Sequence, residues 1–204
     1  GGETVLSGVR DTIRFERILA TDPVRIELNR DYPGGTWEEL ATGLSNDYYF
    51  WPVQLPASTH ARVRIASETR PELADTSATD FILRAPVMVL ITPLGGEQLQ
   101  IGVATQVRWD APEHQGNLRI TLNRNYPGGA WETIATNTAN DGVHPWTPSG
   151  QPSDHCRVRV AAAFDPNQTY VESTSDFALV SMGAEEPANL PKECDMPSRP
   201  TSMM

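Results

Sequence analysis

Lysine is almost missing from this chain: of 16 basic residues, only Lys192 is a lysine and the rest are arginine. Basic residues are also outnumbered, since 26 acids give a net charge of −10 and a pI near 4.8. A surface of that sign repels phosphate backbones, so nucleic acid is not an expected partner, and anionic membrane surfaces are disfavoured too. No apolar run approaches the roughly 20 residues that a spanning helix needs, so no membrane insertion is expected. Helical periodicity is absent at useful length. The chain starts Gly1-Gly2-Glu3, without an initiator methionine or a visible signal peptide, as a processed product or a fragment would. Cysteine is scarce. Cys156 and Cys194 either pair, which suits an oxidising compartment, or stand as one buried and one exposed thiol.

Chemical motifs are missing as well. There is no Gly-x-Ser-x-Gly elbow, no phosphate-binding glycine loop and no Cys-x-x-Cys. The four histidines, His60, His114, His144 and His155, lack the spacing of a metal-binding helix. Asp75, Asp80 and the Asn-Asp pairs lack the dense acidic spacing of a calcium loop, and solvated turns are the simpler reading. Asn167-Gln168-Thr169 matches a glycosylation acceptor, a three-residue pattern that recurs by chance. No catalytic residue, cofactor or metal is therefore expected.

What the chain does have is a repeat. Leu28-Asn29-Arg30-Asp31-Tyr32-Pro33-Gly34-Gly35-Thr36-Trp37-Glu38-Glu39 returns 94 residues later as Leu122 to Thr133, with nine of twelve positions identical. Gly1-Gly2-Glu3 answers Gly95-Gly96-Glu97 at the same offset. Alternating stretches such as Val24-Arg25-Ile26-Glu27-Leu28 and Leu118-Arg119-Ile120-Thr121-Leu122 have the period of half-buried strands. Ile13 and Phe15 should point inward, as should Val107 and Trp109. In Tyr-Pro-Gly-Gly, proline is expected to set the first turn corner and glycine to accept a positive φ at the second. About seven short strands per unit, broken by Gly, Pro, Asn and Asp, predict an all-β chain of two tandem antiparallel β-sandwiches. The units span residues 1–84 and 85–180, and a Pro-rich polar tail covers 181–204. The linker is very short, so the sandwiches should sit end to end with limited freedom.

The copies differ at their start. Val87-Met88-Val89-Leu90-Ile91-Thr92-Pro93 is a good first strand for the second unit, and the first unit has no counterpart. A missing edge strand leaves unpaired backbone groups and an open apolar groove. Either the gap reflects an absent upstream piece or local cover, or another chain supplies the strand. The tail and a Cys156–Cys194 bridge are candidate anchors for such an arrangement. Tryptophans recurring at 37, 51, 131 and 146 are expected in the cores, with an exposed sugar-stacking row as the alternative. The run Tyr48-Tyr49-Phe50-Trp51 cannot all face one core. Tyr48, Tyr49 and Phe50, with Ile13 and Phe15 at the open edge, are therefore the interface candidates.

Taken together, Gly-Gly-Glu, Ile-x-Phe/Trp, Leu-Asn-Arg-x-Tyr-Pro-Gly-Gly-x-Trp-Glu, Asn-Asp, Trp, Arg-Val-Arg-Ile/Val and Asp-Phe resemble immunoglobulin-like or fibronectin-type repeats of large secreted bacterial surface proteins. They are similar to Ser/Thr-rich-anchored wall modules and to modules beside the sorting domains of type IX secretion cargo. The resemblance covers residues 1–180 and transfers no catalytic residue. It implies an extracellular or cell-surface, non-catalytic spacer, adhesion or assembly module. The first expectation is a homo-oligomer or polymer, a filament or layer subunit joined through the open edge of repeat 1 or the C-terminal tail. A glycan-binding or adhesion module and an ancillary spacer of a larger secreted hydrolase are the alternatives.

Overall fold

The computed structural model describes residues 1–17 and 22–181, and no helix occurs among them. The first sandwich contains β1 (Thr4–Leu6), β2 (Arg10–Arg14), β3 (Val24–Asn29), β4 (Trp37–Leu44), β5 (Tyr48–Pro52), β6 (Ser58–Ser67), β7 (Ala74–Thr76) and β8 (Phe81–Arg84). The second contains β9 (Val89–Thr92), β10 (Gln98–Gln100), β11 (Thr105–Asp110), β12 (Leu118–Asn123), β13 (Trp131–Thr138), β14 (Val143–Trp146), β15 (Ser153–Ala162), β16 (Tyr170–Glu172) and β17 (Phe177–Val180). These are more than seven per unit because short pairings such as β1 and β7 stand as strands of their own.

Both sandwiches share one topology. The larger sheets run β1-β8-β6-β3-β4 and β10-β17-β15-β12-β13, with β7 paired to β6 and β16 to β15. The opening strand of each, β1 or β10, lies parallel to the last, and the remaining pairings are antiparallel. The facing sheets differ: β14-β11-β9 has three strands, whereas β2-β5 has two. This is an all-β fold of two sandwiches, and no described residue of the first copy takes the place of β9. Strand alternation builds the cores. Ile26 and Leu28 on β3, and Leu118, Ile120 and Leu122 on β12, are buried between the sheets. Each such side chain contributes about 1.5–3 kcal/mol of burial.

The hallmark turn works differently from the sequence expectation. Tyr32–Pro33 and Tyr126–Pro127 are cis peptides, and neither Gly34-Gly35 nor Gly128-Gly129 has a positive φ. The glycines are needed for closeness. A Cβ on Gly35 or Gly129 would stand 2.5 Å from Oδ1 of Asn29 or Asn123. Those buried asparagines wire the turn. Asn29 Nδ2 donates to the Gly35 carbonyl at 2.8 Å and its Oδ1 accepts from Asp31 N–H at 3.0 Å; Asn123 repeats both bonds with Gly129 and Asn125.

The tryptophan expectation holds only in part. Trp51 is buried and Trp146 packs against the core, but Trp37 and Trp131 lie on the outer face. Register explains this: Trp37 and Arg62 both oppose Asn29, and Arg64 opposes Glu27, so these side chains share one side of the sheet. Arg64 stacks 4.4 Å from the Trp37 ring centroid and Arg62 4.4 Å from that of Tyr32. Arg157 over Tyr126 and Arg159 over Trp131 repeat the pattern at 4.6 and 4.2 Å. A planar guanidinium stacks on a ring while bonding a carboxylate in its plane, which an ammonium cannot do. Arg64 bonds Glu27 in this way, and Arg159 bonds Glu172.

The joint between the sandwiches is tight. Arg84 makes two 2.8 Å hydrogen bonds to Glu113, which also accepts from Val87 N–H at 2.8 Å. Ser7 Oγ lies 2.8 Å from Thr169 Oγ1. Gly8 sits at φ +80°, and a Cβ there would come 2.8 Å from the Ala162 methyl. The Arg84 guanidinium, followed by the Val87 N–H, holds the Glu113 carboxyl down at about 2, against an ordinary 4.5.

Asn123→Ala strands the Asn125 N–H and the Gly129 carbonyl and should cost about 1–3 kcal/mol in urea unfolding; Gly129→Ala should cost a similar amount through its clash. Because the folded carboxyl is depressed, the Glu113 contribution is complete above pH 4.5 and is lost as pH falls towards about 2. Small-angle scattering should therefore record a looser two-sandwich particle at the acidic end of that window. Glu113→Gln should give the same loosening at neutral pH.

Candidate functional site

The site follows from comparing the two facing sheets. In the second sandwich β9 pairs antiparallel to β11, with Leu90 opposite Trp109 and Val89 opposite Asp110. Leu90 enters the core and Met88 packs against it. Under that strand Val107, Trp109, Val158 and Val160 are 0–2% exposed. Their counterparts in the first sandwich, Ile13, Phe15, Val63 and Ile65, are all only half-buried. No described residue takes the place of β9 there. The result is a groove of about 620 Å³ lined by these four side chains together with Val5, Trp51, Leu73 and Phe81. It lies between β2 and β7, and β9 approaches β16 at the equivalent place.

Polar groups frame the groove. Ser173 accepts from Val158 N–H at 3.0 Å and donates to the Pro93 carbonyl at 2.8 Å. Ser77 accepts from Val63 N–H at 3.3 Å in the same way, and no described residue stands in for Pro93. Glu97 receives Leu94 N–H and Gly95 N–H, both at 2.6 Å, and Glu3 is its equivalent at the groove end. Asp22 accepts from the Ser67 and Thr69 hydroxyls, and these bonds, Ser67 first, lower its pKa. Asp11, Glu16 and Asp75 add further carboxylates to the lining, and Arg14 and Arg17 add guanidiniums.

Of the sequence candidates, Ile13 and Phe15 line the groove. Tyr49 turns inward, packs on the core and donates to the Leu40 carbonyl at 3.1 Å, and burial raises its phenol pKa. Tyr48 and Phe50 face outward on the same ribbon, 39% and 57% exposed, with ring planes at 61°. They therefore sit one strand away from the groove, opposite Arg14 and Thr12. Cys156 is a free buried thiol whose pKa burial raises; Cys194 and the tail beyond residue 181 lie outside the described residues.

Elsewhere several titratable groups have structural partners, whereas the buried Asp165 Oδ2 and His114 Nδ1 have none among the described residues. His60 and His155 bond Asp80 and Asp176, which also hold Arg62 and Arg157. His114 is buried against the Asn117 carbonyl, and desolvation lowers its pKa. No cluster of metal-ligating side chains occurs among the described residues. Sequence reasoning missed Ser77 and weighed Asp75 only as a calcium ligand or a solvated turn residue. Aligning Ser77-Ala78-Thr79-Asp80 with Ser173-Thr174-Ser175-Asp176 marks the serine, and the fold's register marks Asp75 as the counterpart of Val171.

No protein-family model and no curated protein matches the chain. Among solved structures, fibronectin(III)-like modules of Clostridium thermocellum CbhA align over 88% of this chain and 90% of theirs, at 13% identity and a TM-score of 0.32. Immunoglobulin domains 1–4 of Sidekick-1 align over 88% of this chain and 49% of theirs, at 13% identity and 0.28. The tandem V-type regions of a v-region-containing chitin binding protein align over 86% and 95%, at 13% identity and 0.25. Likeness at this level carries no functional argument.

The open groove predicts an asymmetry between sequence-equivalent positions. Val158→Ala removes two buried carbons, worth about 1.6 kcal/mol before any cavity term. Val63→Ala should cost less than half of that, as read by urea denaturation of the two variants.

Proposed function

We propose that this chain is a non-catalytic structural module of an extracellular assembly, a filament or layer subunit whose first sandwich takes a β-strand at the edge of β2. The observation that carries the reading is the groove at the edge of β2, where the second sandwich holds β9. An unpaired strand edge over an apolar floor favours strand addition, in which main-chain bonds give affinity and alternate side chains fill pockets. Tyr48 and Phe50, exposed on the same ribbon, extend the surface that an added chain would touch. The tight joint at Arg84 and Glu113 lets such a subunit pass its orientation from one sandwich to the next. The extracellular setting rests on the sequence resemblance.

The glycan-binding alternative has less support. The Tyr32, Trp37, Tyr126 and Trp131 rings already carry guanidiniums, and Tyr48 and Phe50 are far from coplanar. The decisive comparison is with a variant in which residues 85–93 are repeated ahead of Gly1 through a short Gly/Ser linker. The parent chain should give higher-order species by light scattering and electron microscopy. The variant should be monomeric and more stable by about 1.5–3 kcal/mol for the inward leucine alone, a rise of several degrees in Tm. Monomers of equal Tm from both chains would overturn the reading and leave a pair of spacers.

A further inference from the structure

The geometry points to a contact surface on the second sandwich: the outer face of β14-β11-β9, which packs on the same face of a second copy of this chain about a two-fold axis. This goes beyond the strand-addition reading and does not rest on it, since none of the residues involved lines the groove of the first sandwich.

The face is apolar along one side. On β9, Leu90 turns into the core while Val89 and Ile91 turn out, 51% and 50% exposed, with Val87 ahead of them at 54%. These three are among ten large apolar side chains exposed in the described residues, and they follow one another at every second position. Residues 86–93 carry no charge, so β9 lacks the lysines and other charges that usually protect an edge strand. The opposite edge is guarded, because Pro145 in β14 offers no N–H. A net charge of −10 makes copies of this chain repel one another, and an uncharged line is where two of them can approach.

The charges beside that line fit a second copy. Val89 lies opposite Asp110 on β11, and Arg108 stands two residues from Asp110 on the same face. Both are exposed. Neither makes an ion pair or a side-chain hydrogen bond within the described residues, unlike Arg62, Arg64, Arg157 and Arg159. One positive and one negative group at i and i+2 form a self-complementary pair. Consider a two-fold axis in the plane of contact, perpendicular to β11 and level with Trp109. It sets Arg108 of each copy against Asp110 of the other. It also sets Val89 against Ile91 of the other copy, because Leu90 is level with Trp109. Closed two-fold contacts are the commonest in homo-oligomers, and sheets stacked about 10 Å apart bring outward side chains together. A different protein gains nothing from this symmetry.

The patch is small beside the roughly 20–30 residues a side of a stable interface. The contact is therefore weak, with a dissociation constant on the order of 0.1 mM or above. It acts between subunits already held close in an assembly, not in dilute solution.

The test is disulfide trapping in the full chain. Every chain carries Cys194→Ser, and Cys156 stays because it is buried. A Val89→Cys chain mixed with an Ile91→Cys chain, at a concentration near that dissociation constant, should oxidise to covalent dimers at least about fivefold faster than either chain alone, because only the mixture places two thiols within disulfide reach. Adding Arg108→Asp to both chains sets carboxylates face to face and should slow trapping about three- to tenfold. Adding Asp110→Arg as well should restore it. Circular dichroism should be the same for all of these chains, since the altered side chains are on the surface. Equal rates for the mixture and the separate chains would overturn the two-fold contact, as would happen if the C-terminal segment or an unrelated protein covered the face. Failure of the double reversal to restore the rate would overturn it too. Both outcomes leave the strand-addition reading standing, because that reading is tested at the edge of β2.

Discussion

A two-sheet β-structure stays dry only while a strand spans the gap at the open side of its smaller sheet. Everything distinctive here depends on that. The segments Arg62-Val63-Arg64-Ile65 and Arg157-Val158-Arg159-Val160 are almost the same in sequence and pair with equivalent partners. Nevertheless Val158 and Val160 are fully buried, whereas Val63 and Ile65 are not. The residues do not cause the difference; the neighbour above them does. Apolar side chains already aligned for burial lie beside an edge of β2 that no described residue pairs. The chain itself supplies the measure of what fits, because its second half shows the same floor covered.

Much of this was legible in the sequence because a sheet writes itself as period two. The alternation around Ile26 and Ile120, the doubled Tyr-Pro-Gly-Gly hairpin and the first strand at Val87 without a counterpart needed only comparison of the chain with itself. What could not be read depends on register and on three-dimensional closeness. Whether Trp37 faces in or out is decided by which residue of β3 it opposes, and a strand pattern alone does not say. The hairpin glycines look like positive-φ positions, because that is glycine's common use in turns. Their actual constraint is the buried Asn29 or Asn123 amide pressed against them, six residues away in sequence. Asp75 reads as a solvated turn residue because short, weakly patterned β7 gives no cue to the wall it forms.

The same register accounts for the composition. On the outer sheet faces, arginines of β6 and β15 lie between tyrosine or tryptophan rings on one side and glutamates or aspartates on the other. Each position asks one side chain to stack and to form directed bonds at once. The repeat carries that requirement into both halves, so the preference for guanidinium is doubled with it.

One chemical consequence reaches beyond folding. With guanidinium at every basic position of residues 1–181, the two sandwiches present no side-chain amine at all. Acylating reagents, aldehydes and enzymes that form isopeptide links to lysine therefore find a single side-chain target, Lys192, in the segment that follows. Within residues 1–204, covalent tethering through an amine side chain would fall at Lys192 and leave the two sandwiches chemically untouched.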